Sequence, residues 1–175
     1  MYYLVMSKSK RFDYNETRKR VEESHHRVTG EALGAVQINL LIKHNSWMIL
    51  ELLNKELRGF GLNATGYFAL VMLYSVPEHM ANPSDLSLWT GETRANMTRI
   101  SDELVEQGLL QRITNTEDRR RVDLSLTPKG MALIQKVVPH VRERNKTIFS
   151  VFSDDEQAQL EGLLLKLLRK VEAHI

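Results

Sequence analysis

A mainly α-helical fold carrying one small β-hairpin is what the sequence predicts, on three observations. Residues 84–130 run a short apolar helix pattern, a Thr-Gly break and a second helix bearing Thr93, Arg94, Asn96, Thr98 and Arg99. Two alternating, strand-like segments follow, joined by the basic run Asn115-Thr116-Glu117-Asp118-Arg119-Arg120-Arg121. Helix, turn, polar-faced helix and basic hairpin in that order read as a winged helix-turn-helix lobe. The third observation lies outside that lobe. The first long helix and the last one offer more apolar surface than a chain of 175 residues covers alone, so a helical dimerisation region is expected.

Composition narrows the class. At 175 residues the chain can bury one domain, or two lobes that share a core. Hydrophobic residues make up 42% and charged residues 26%, as in an ordinary globular protein. The absence of cysteine excludes a disulfide framework and a thiol redox sensor, and leaves only His, Asp and Glu as metal ligands. No cofactor or metal is expected. No apolar run approaches the ~20 residues of a membrane helix. Met1 to Arg11 places its apolar residues before its basic ones, the reverse of a secretory signal, so a cytoplasmic location is expected. A net charge of +2 is too weak to argue for nucleic acid; where the positive charge sits decides that.

Residues 1–34 form an N-terminal extension mixing Lys8, Lys10, Arg11, Arg18, Lys19, Arg20 and Arg27 with Asp13, Glu16, Glu22 and Glu23, at little periodicity. A flexible basic arm touching DNA backbone is one reading; a solvated extension or a contact with a partner chain is favoured. His25 and His26 are adjacent and cannot face one metal as i, i+4 histidines do. Residues 35–62 hold a long amphipathic helix for dimerisation, ended by Gly59-Phe60-Gly61; Val36, Ile38, Leu41, Ile42, Met48, Ile49, Leu52, Leu53 and Leu57 recur along it at three and four.

The DNA-binding lobe is assigned to residues 63–130. Asn63 suits the N-cap of a helix reaching about Val76, with large residues on several sides and Pro77 closing it. Met80-Ala81-Asn82-Pro83 reads as a connector to a short helix, Asp85 to Trp89. Thr90-Gly91-Glu92 makes the turn, and Thr93 caps the next helix, from Arg94 to Gln107. On that helix Met97, Ile100, Ser101 and Leu104 share the inward face, which leaves Ala95, Thr98, Arg99 and Asp102 outward, flanked by Arg94 and Asn96. Strands are expected at Leu109 to Thr114 and Arg121 to Thr127; Val122, Leu124 and Leu126 alternate with Asp123 and Ser125 as in a sheet wet on one face.

Residues 131–175 are assigned to dimerisation. Thr127 caps the helix that enters this region, with Pro128 in its first turn. Met131, Ile134, Val138, Val141, Ile148, Phe149 and Phe152 make its buried stripe, with a kink expected at Pro139. Ser153-Asp154-Asp155-Glu156 is a capping box opening a last helix faced with Leu160, Leu163, Leu164, Leu167, Leu168 and Val171.

From Pro83-Ser84-Asp85-Leu86 through Lys129-Gly130 the chain resembles the MarR family of bacterial transcription regulators, most of all the branch that represses multidrug efflux pumps. The motifs that carry this are Asn96-Met97-Thr98-Arg99-Ile100-Ser101-Asp102-Glu103-Leu104, then Gln107-Gly108-Leu109, Asp118-Arg119-Arg120-Arg121 and Leu124-Ser125-Leu126-Thr127-Pro128-Lys129-Gly130. The last two match the family's D-x-R wing and its L-T-x-x-G junction. The resemblance implies an obligate homodimer on a double-stranded, pseudo-palindromic operator, released when a small aromatic or amphipathic effector binds. It also implies a repressor controlling efflux or stress resistance. Three departures stand out: the longer N-terminal extension, Trp89-Thr90 and Glu92 around the turn, and the lack of any cysteine for peroxide sensing.

The DNA-facing set is then Ser84, Thr93, Arg94, Ala95, Asn96, Thr98 and Arg99, with Asp118, Arg119, Arg120 and Arg121 at the wing. Arg99 is the first candidate for guanine O6/N7; the bland alternative is a surface arginine paired with Asp102 or Glu103. Thr98 and Asn96 can reach base edge or phosphate, and Ala95 a thymine methyl. The helix N-terminus at Thr93 and Arg94 favours phosphate, which Glu92 opposes. By the D-x-R match Arg120 enters the minor groove and Asp118 orients an arginine. For the effector, His44, Trp47, Met48, Tyr67, Phe68 and Met72 combine aromatic bulk, sulfur and a titratable group, although plain core residues need no ligand.

Two rival classes remain. An enzyme is disfavoured because no glycine-rich phosphate loop, G-x-S-x-G elbow or H-E-x-x-H is present. A winged-helix protein-interaction adaptor, or a DNA binder that needs no ligand, is the other alternative.

Overall fold

A computed structural model describes residues 13–114 and 122–174. The expectation for Asp118, Arg119, Arg120 and Arg121 falls within 115–121 and lies outside the described residues. The chain divides into two compact units, Met1–Lys55 and Glu56–Ile175.

The first unit opens with a helix the sequence reading did not anticipate, α1, Tyr14–Thr29. The Asp13 carboxylate accepts the backbone N–H groups of Asn15 (2.8 Å) and Glu16 (3.2 Å), and Gly30, at φ 74°, ends the helix by donating to His26 O. Glu16 and Arg20 pair one turn apart at 2.5 Å. No described residue of α1 is buried. Without an apolar stripe, periodicity has nothing to detect, and only the two caps mark this helix in the sequence. Helix α2, Ala35–Leu57, is the long amphipathic helix expected there. Its Ile38, Leu41, Ile42, Trp47, Met48 and Leu50 are exposed.

In the second unit a 3-10 turn, Arg58–Phe60, and Gly61 at φ 72° redirect the chain. Asn63 then caps α3, Ala64–Ser75, by accepting the Gly66 N–H at 2.8 Å. Ala64, Gly66, Tyr67, Ala69, Leu70 and Leu73 are all buried, positions that at about 100° per residue lie on several sides of the helix. α3 is the central rod of this unit. Helix α4, Pro83–Thr90, packs on it; Asn82 caps α4, and Pro83 sits in its first turn, where a missing N–H costs nothing. Gly91 at φ 69° makes the turn to α5, Arg94–Glu106, which packs on α3 and α4.

Among the described residues the sheet has three antiparallel strands: β1, Met80–Ala81; β2, Leu110–Thr114; and β3, Val122–Leu126, in the order β1-β3-β2. Two expectations are corrected here. Met80-Ala81 is not a plain connector but a short strand, with Met80 opposite Ser125 and Ala81 opposite Leu124. β3 is therefore central, and its predicted alternation fails: Asp123 and Ser125 are buried, while Val122 is 43% exposed. Strands on both edges and helices α3, α4 and α6 packed against it cover both rows of β3 side chains from Asp123 to Leu126.

Helix α6 spans Pro128–Phe149 without interruption at Pro139. Its buried stripe is Ile134, Val137 and Val141; Val137 takes the place expected of Val138, which is 38% exposed. The junction at its start is tight. Thr127 Oγ1 accepts the Gly130 N–H at 3.0 Å and donates to Gly108 O at 2.7 Å. A Cβ on Gly130 would lie 2.2 Å from the backbone oxygen of Leu109. The L-T-x-x-G spacing thus has a steric reason: strand and helix cross too closely for any side chain.

The capping box at α7, Asp154–Glu172, is formed as expected, with Ser153 and Glu156 bonding reciprocally. Those bonds hold the Glu156 carboxyl below the usual range. α7 buries no residue, and Leu163, Leu164, Leu167, Leu168 and Val171 are exposed.

Gly130→Ala should destabilise the fold by ~1–3 kcal/mol or more, because the clash is with backbone that cannot rotate away. Urea unfolding followed by far-ultraviolet circular dichroism measures this; an unchanged midpoint would refute the close crossing.

Candidate nucleic-acid interface

The interface is built on α5. Thr93 caps it by accepting the Asn96 N–H at 3.2 Å. Met97, Ile100, Ser101 and Leu104 are all buried, the inward set read from the sequence. Thr93, Arg94, Ala95, Thr98 and Arg99 are exposed and Asn96 is half-buried. Thr98 Oγ1 donates to Arg94 O at 2.9 Å, which leaves the Thr98 methyl and hydroxyl lone pairs available outward. Ser84 is exposed in the first turn of α4, and Ser84 and Arg94 line one shallow depression together with Leu88 and Glu92. The structure thus brings Ser84 together with Arg94, the first residue of α5.

Charge on α5 is locally ordered. Arg99 donates through Nη1 to Glu103 one turn on and through Nη2 to Asn96 Oδ1 at 2.9 Å. Asp102 pairs with Arg112 of β2. The bland alternative for Arg99, a pairing with a neighbouring acid, is therefore realised, with Glu103 as the partner. It does not remove Arg99 from play. The side chain is 57% exposed, and exposed pairs of this kind are worth only ~0.3–0.5 kcal/mol.

Glu92, left unexplained by the sequence, has two partners. Its Oε1 accepts from Thr65 Oγ1 at 2.8 Å and its Oε2 from Asn96 Nδ2 at 2.6 Å. Nothing in the sequence points to Thr65 or to Arg112, because their partners lie 27 and 10 residues away. Nothing in the structure explains Trp89, which is 41% exposed on α4.

The effector candidates fall in both units. In the first, the His44 ring lies 5.7 Å from that of Tyr14 and 6.4 Å from that of Trp47, and Met48 is exposed. In the second, Tyr67 is buried with its ring 5.4 Å from Phe68, which is exposed, and Met72 is half-buried. Burial pushes the Tyr67 hydroxyl pKa up, and the Arg144 guanidinium works against that. Sequence reasoning missed Arg144 itself. Its side chain is 9% exposed, its Nε lies 3.7 Å from Glu56 Oε2, and neither Nε nor Nη1 has a hydrogen-bond partner. Its Nη2 donates to Asn145 Oδ1 at 2.7 Å. His140 Nε2 lies 3.9 Å from the same Glu56 oxygen.

Among the described residues no helix is long and apolar enough to cross a membrane, and no group of three or more acidic or histidine side chains could hold a metal.

Comparison with known proteins agrees with this arrangement. The MarR family profile matches residues 62–122, from the start of α3 to the first residue of β3. The transcriptional repressor MprA of Escherichia coli K12 is 36% identical over 137 residues, 78% of each chain. A cysteine-to-serine mutant of E. coli MarR complexed with operator DNA superposes at a TM-score of 0.68 with 26% identity, covering 82% of this chain and 97% of that one. A probable transcriptional regulator from Pseudomonas aeruginosa superposes at 0.68 with 29% identity, covering 75% and 96%. These relatives are regulators of transcription and not enzymes. A repressor 36% identical across most of both chains, and a profile that falls on the winged lobe itself, place this chain in the MarR family of transcription regulators.

Proposed function

We propose that the chain is a repressor that binds a pseudo-palindromic operator as a homodimer, with α5 in the major groove. The observation that carries this is the division of α5: Met97, Ile100, Ser101 and Leu104 buried, with Arg94, Ala95, Thr98 and Arg99 exposed along the other side. A helix presenting small and guanidinium side chains on one exposed face fits a major groove whose base edges carry distinct donors and acceptors. Arg99 reads guanine, Thr98 and Ala95 contact neighbouring bases, and Ser84, Thr93 and Arg94 hold phosphate. By the D-x-R match Arg120, flanked by Arg119 and Arg121, enters the adjacent minor groove, and Asp118 orients an arginine. The exposed leucines of α7 support pairing of two chains, since an apolar row of that length is costly to leave in water.

Release by a small acidic aromatic ligand is the second part of the reading. Arg144 supports it: a guanidinium buried with unused N–H donors beside Tyr67 favours an anion that would use them. A ligand releases DNA only if it binds the incompetent arrangement more tightly than the competent one. Efflux or stress-resistance genes are the proposed targets.

Arg99→Ala should cost ~1–3 kcal/mol per subunit and relax sequence preference, whereas Arg119→Ala should weaken all sequences alike. Gel-shift titration at fixed salt on operator and scrambled duplexes separates the two; unchanged selectivity in Arg99→Ala would overturn the docking. Half-sites should lie about one turn, ~34 Å, apart, and footprinting reads that spacing directly. Salicylate should release wild-type DNA complexes, and Arg144→Gln should raise the concentration required by about tenfold while leaving DNA affinity intact. An equal response in both proteins would exclude Arg144 from the effector site.

A further inference from the structure

Glu92 stands in the turn immediately before the cap of α5, where an acid would be expected to repel a DNA phosphate. Its carboxylate is nevertheless engaged at both oxygens, by the Thr65 hydroxyl of α3 and by the Asn96 amide. Asn96 Oδ1 then accepts from Arg99 Nη2 at 2.9 Å. The result is a continuous chain of hydrogen bonds from α3 through the turn to the guanidinium on the exposed face of α5. Glu92 accepts at each of its oxygens, so Asn96 must turn its NH2 toward Glu92 and its carbonyl toward Arg99. The orientation of the amide is fixed by its neighbours.

Two consequences follow. Asn96 keeps one N–H and one carbonyl lone pair, but its amide is held at both ends, by Glu92 and by Arg99, and we assign it the part of holding Arg99. Arg99 carries five N–H donors, and its bonds to Glu103 and Asn96 use two, which leaves three for guanine. A guanidinium already held loses less rotamer freedom when it docks than a free one does.

We propose that Glu92 is a positioning residue for base selectivity: through Asn96 it presets the Arg99 guanidinium and ties it to Thr65, without touching DNA. This rests on the proposed docking of α5 in the major groove. Glu92 then accepts an unfavourable phosphate field in exchange for selectivity, so charge and geometry should separate by mutation. Glutamine can keep the geometry: its Oε1 accepts from Asn96 and its Nε2 donates to Thr65 Oγ1.

The test uses full-length chains and DNA duplexes with a randomised core, selected on the wild type. Affinities for the selected duplex and for the unselected pool are then measured at one salt concentration. Glu92→Ala should lower the selected-to-unselected ratio by about tenfold, while affinity for the pool rises or holds. Glu92→Gln should keep the ratio and strengthen binding to both, since it removes only the charge. Thr65→Val cuts the far end of the chain of bonds on a side chain away from the groove, and should lower the ratio in the same direction as Glu92→Ala. Should Glu92→Ala fail to fold, the Thr65→Val and Glu92→Gln pair carries the decision. An unchanged ratio in Glu92→Ala and Thr65→Val, with loss of selectivity in Arg99→Ala, would overturn the positioning role and leave the docking intact. An unchanged ratio in Arg99→Ala would overturn both.

Discussion

What α5 can present to a partner follows from which of its faces is buried. Burying Met97, Ile100 and Leu104, each worth ~1.5–3 kcal/mol, holds the helix in one rotation about its axis. At about 100° per residue, turning it by a single position would expose these three and bury Thr98, Arg99 or Asp102 instead. α3, α4 and β2 supply the surface that receives the stripe. Ser101 is buried among them with its Oγ unpartnered, a cost that the stripe as a whole offsets. The geometry of the wing depends on the same packing, since β2 begins only four residues after α5 ends.

Electrostatics refines what packing permits. The net charge of +2 is modest, and the acids near the exposed face of α5 are not left free to repel DNA. Glu103 is paired with Arg99, Asp102 with Arg112, and Glu92 with two hydrogen-bond donors. These are exposed or half-exposed pairs, so their weight lies in direction rather than in stability. Their effect is to occupy the carboxylates on either side of the N-terminal half of α5, which carries Arg94 and Arg99 and no acid of its own. Arg144 is the contrasting case. Its charge is buried with incomplete partners, a costly arrangement.

Much of this was legible in the sequence. The caps at Asn63, Thr93, Thr127 and Ser153 are local signals, because a cap and the N–H it satisfies lie within three residues of each other. The inward face of α5 was legible too, since an amphipathic helix records its own rotation in its spacing. Most of what was missed was decided by packing between elements distant in sequence. β1 is two residues long and exists only because β3 lies beside it. Asp123 and Ser125 read as solvent-facing because strand alternation says nothing of strands or helices laid over the polar row. Val137 and Val138 are adjacent valines that either spacing from Ile134 and Val141 would allow, and packing of α6 on α3 and β3 buries the first. α1 lacks any apolar stripe, so its caps stood alone as evidence.

The sequence by itself determined the helices from α2 onward, the caps of α3, α5, α6 and α7, and which side of α5 faces outward, because each of these is set by residues within a turn or two of one another. The tertiary structure alone decided the long-range bonds that anchor this surface. Thr65 lies 27 residues from Glu92, and only the packing of α3 against the helix-turn-helix brings the hydroxyl to the carboxylate. Arg144 likewise meets Glu56 across most of the second unit's sequence. The bonds of Arg99 to Asn96 and Glu103, and of Asn96 to Glu92, lie within four residues, but contacts of the longer reach leave no periodic trace in a chain and belong to the fold.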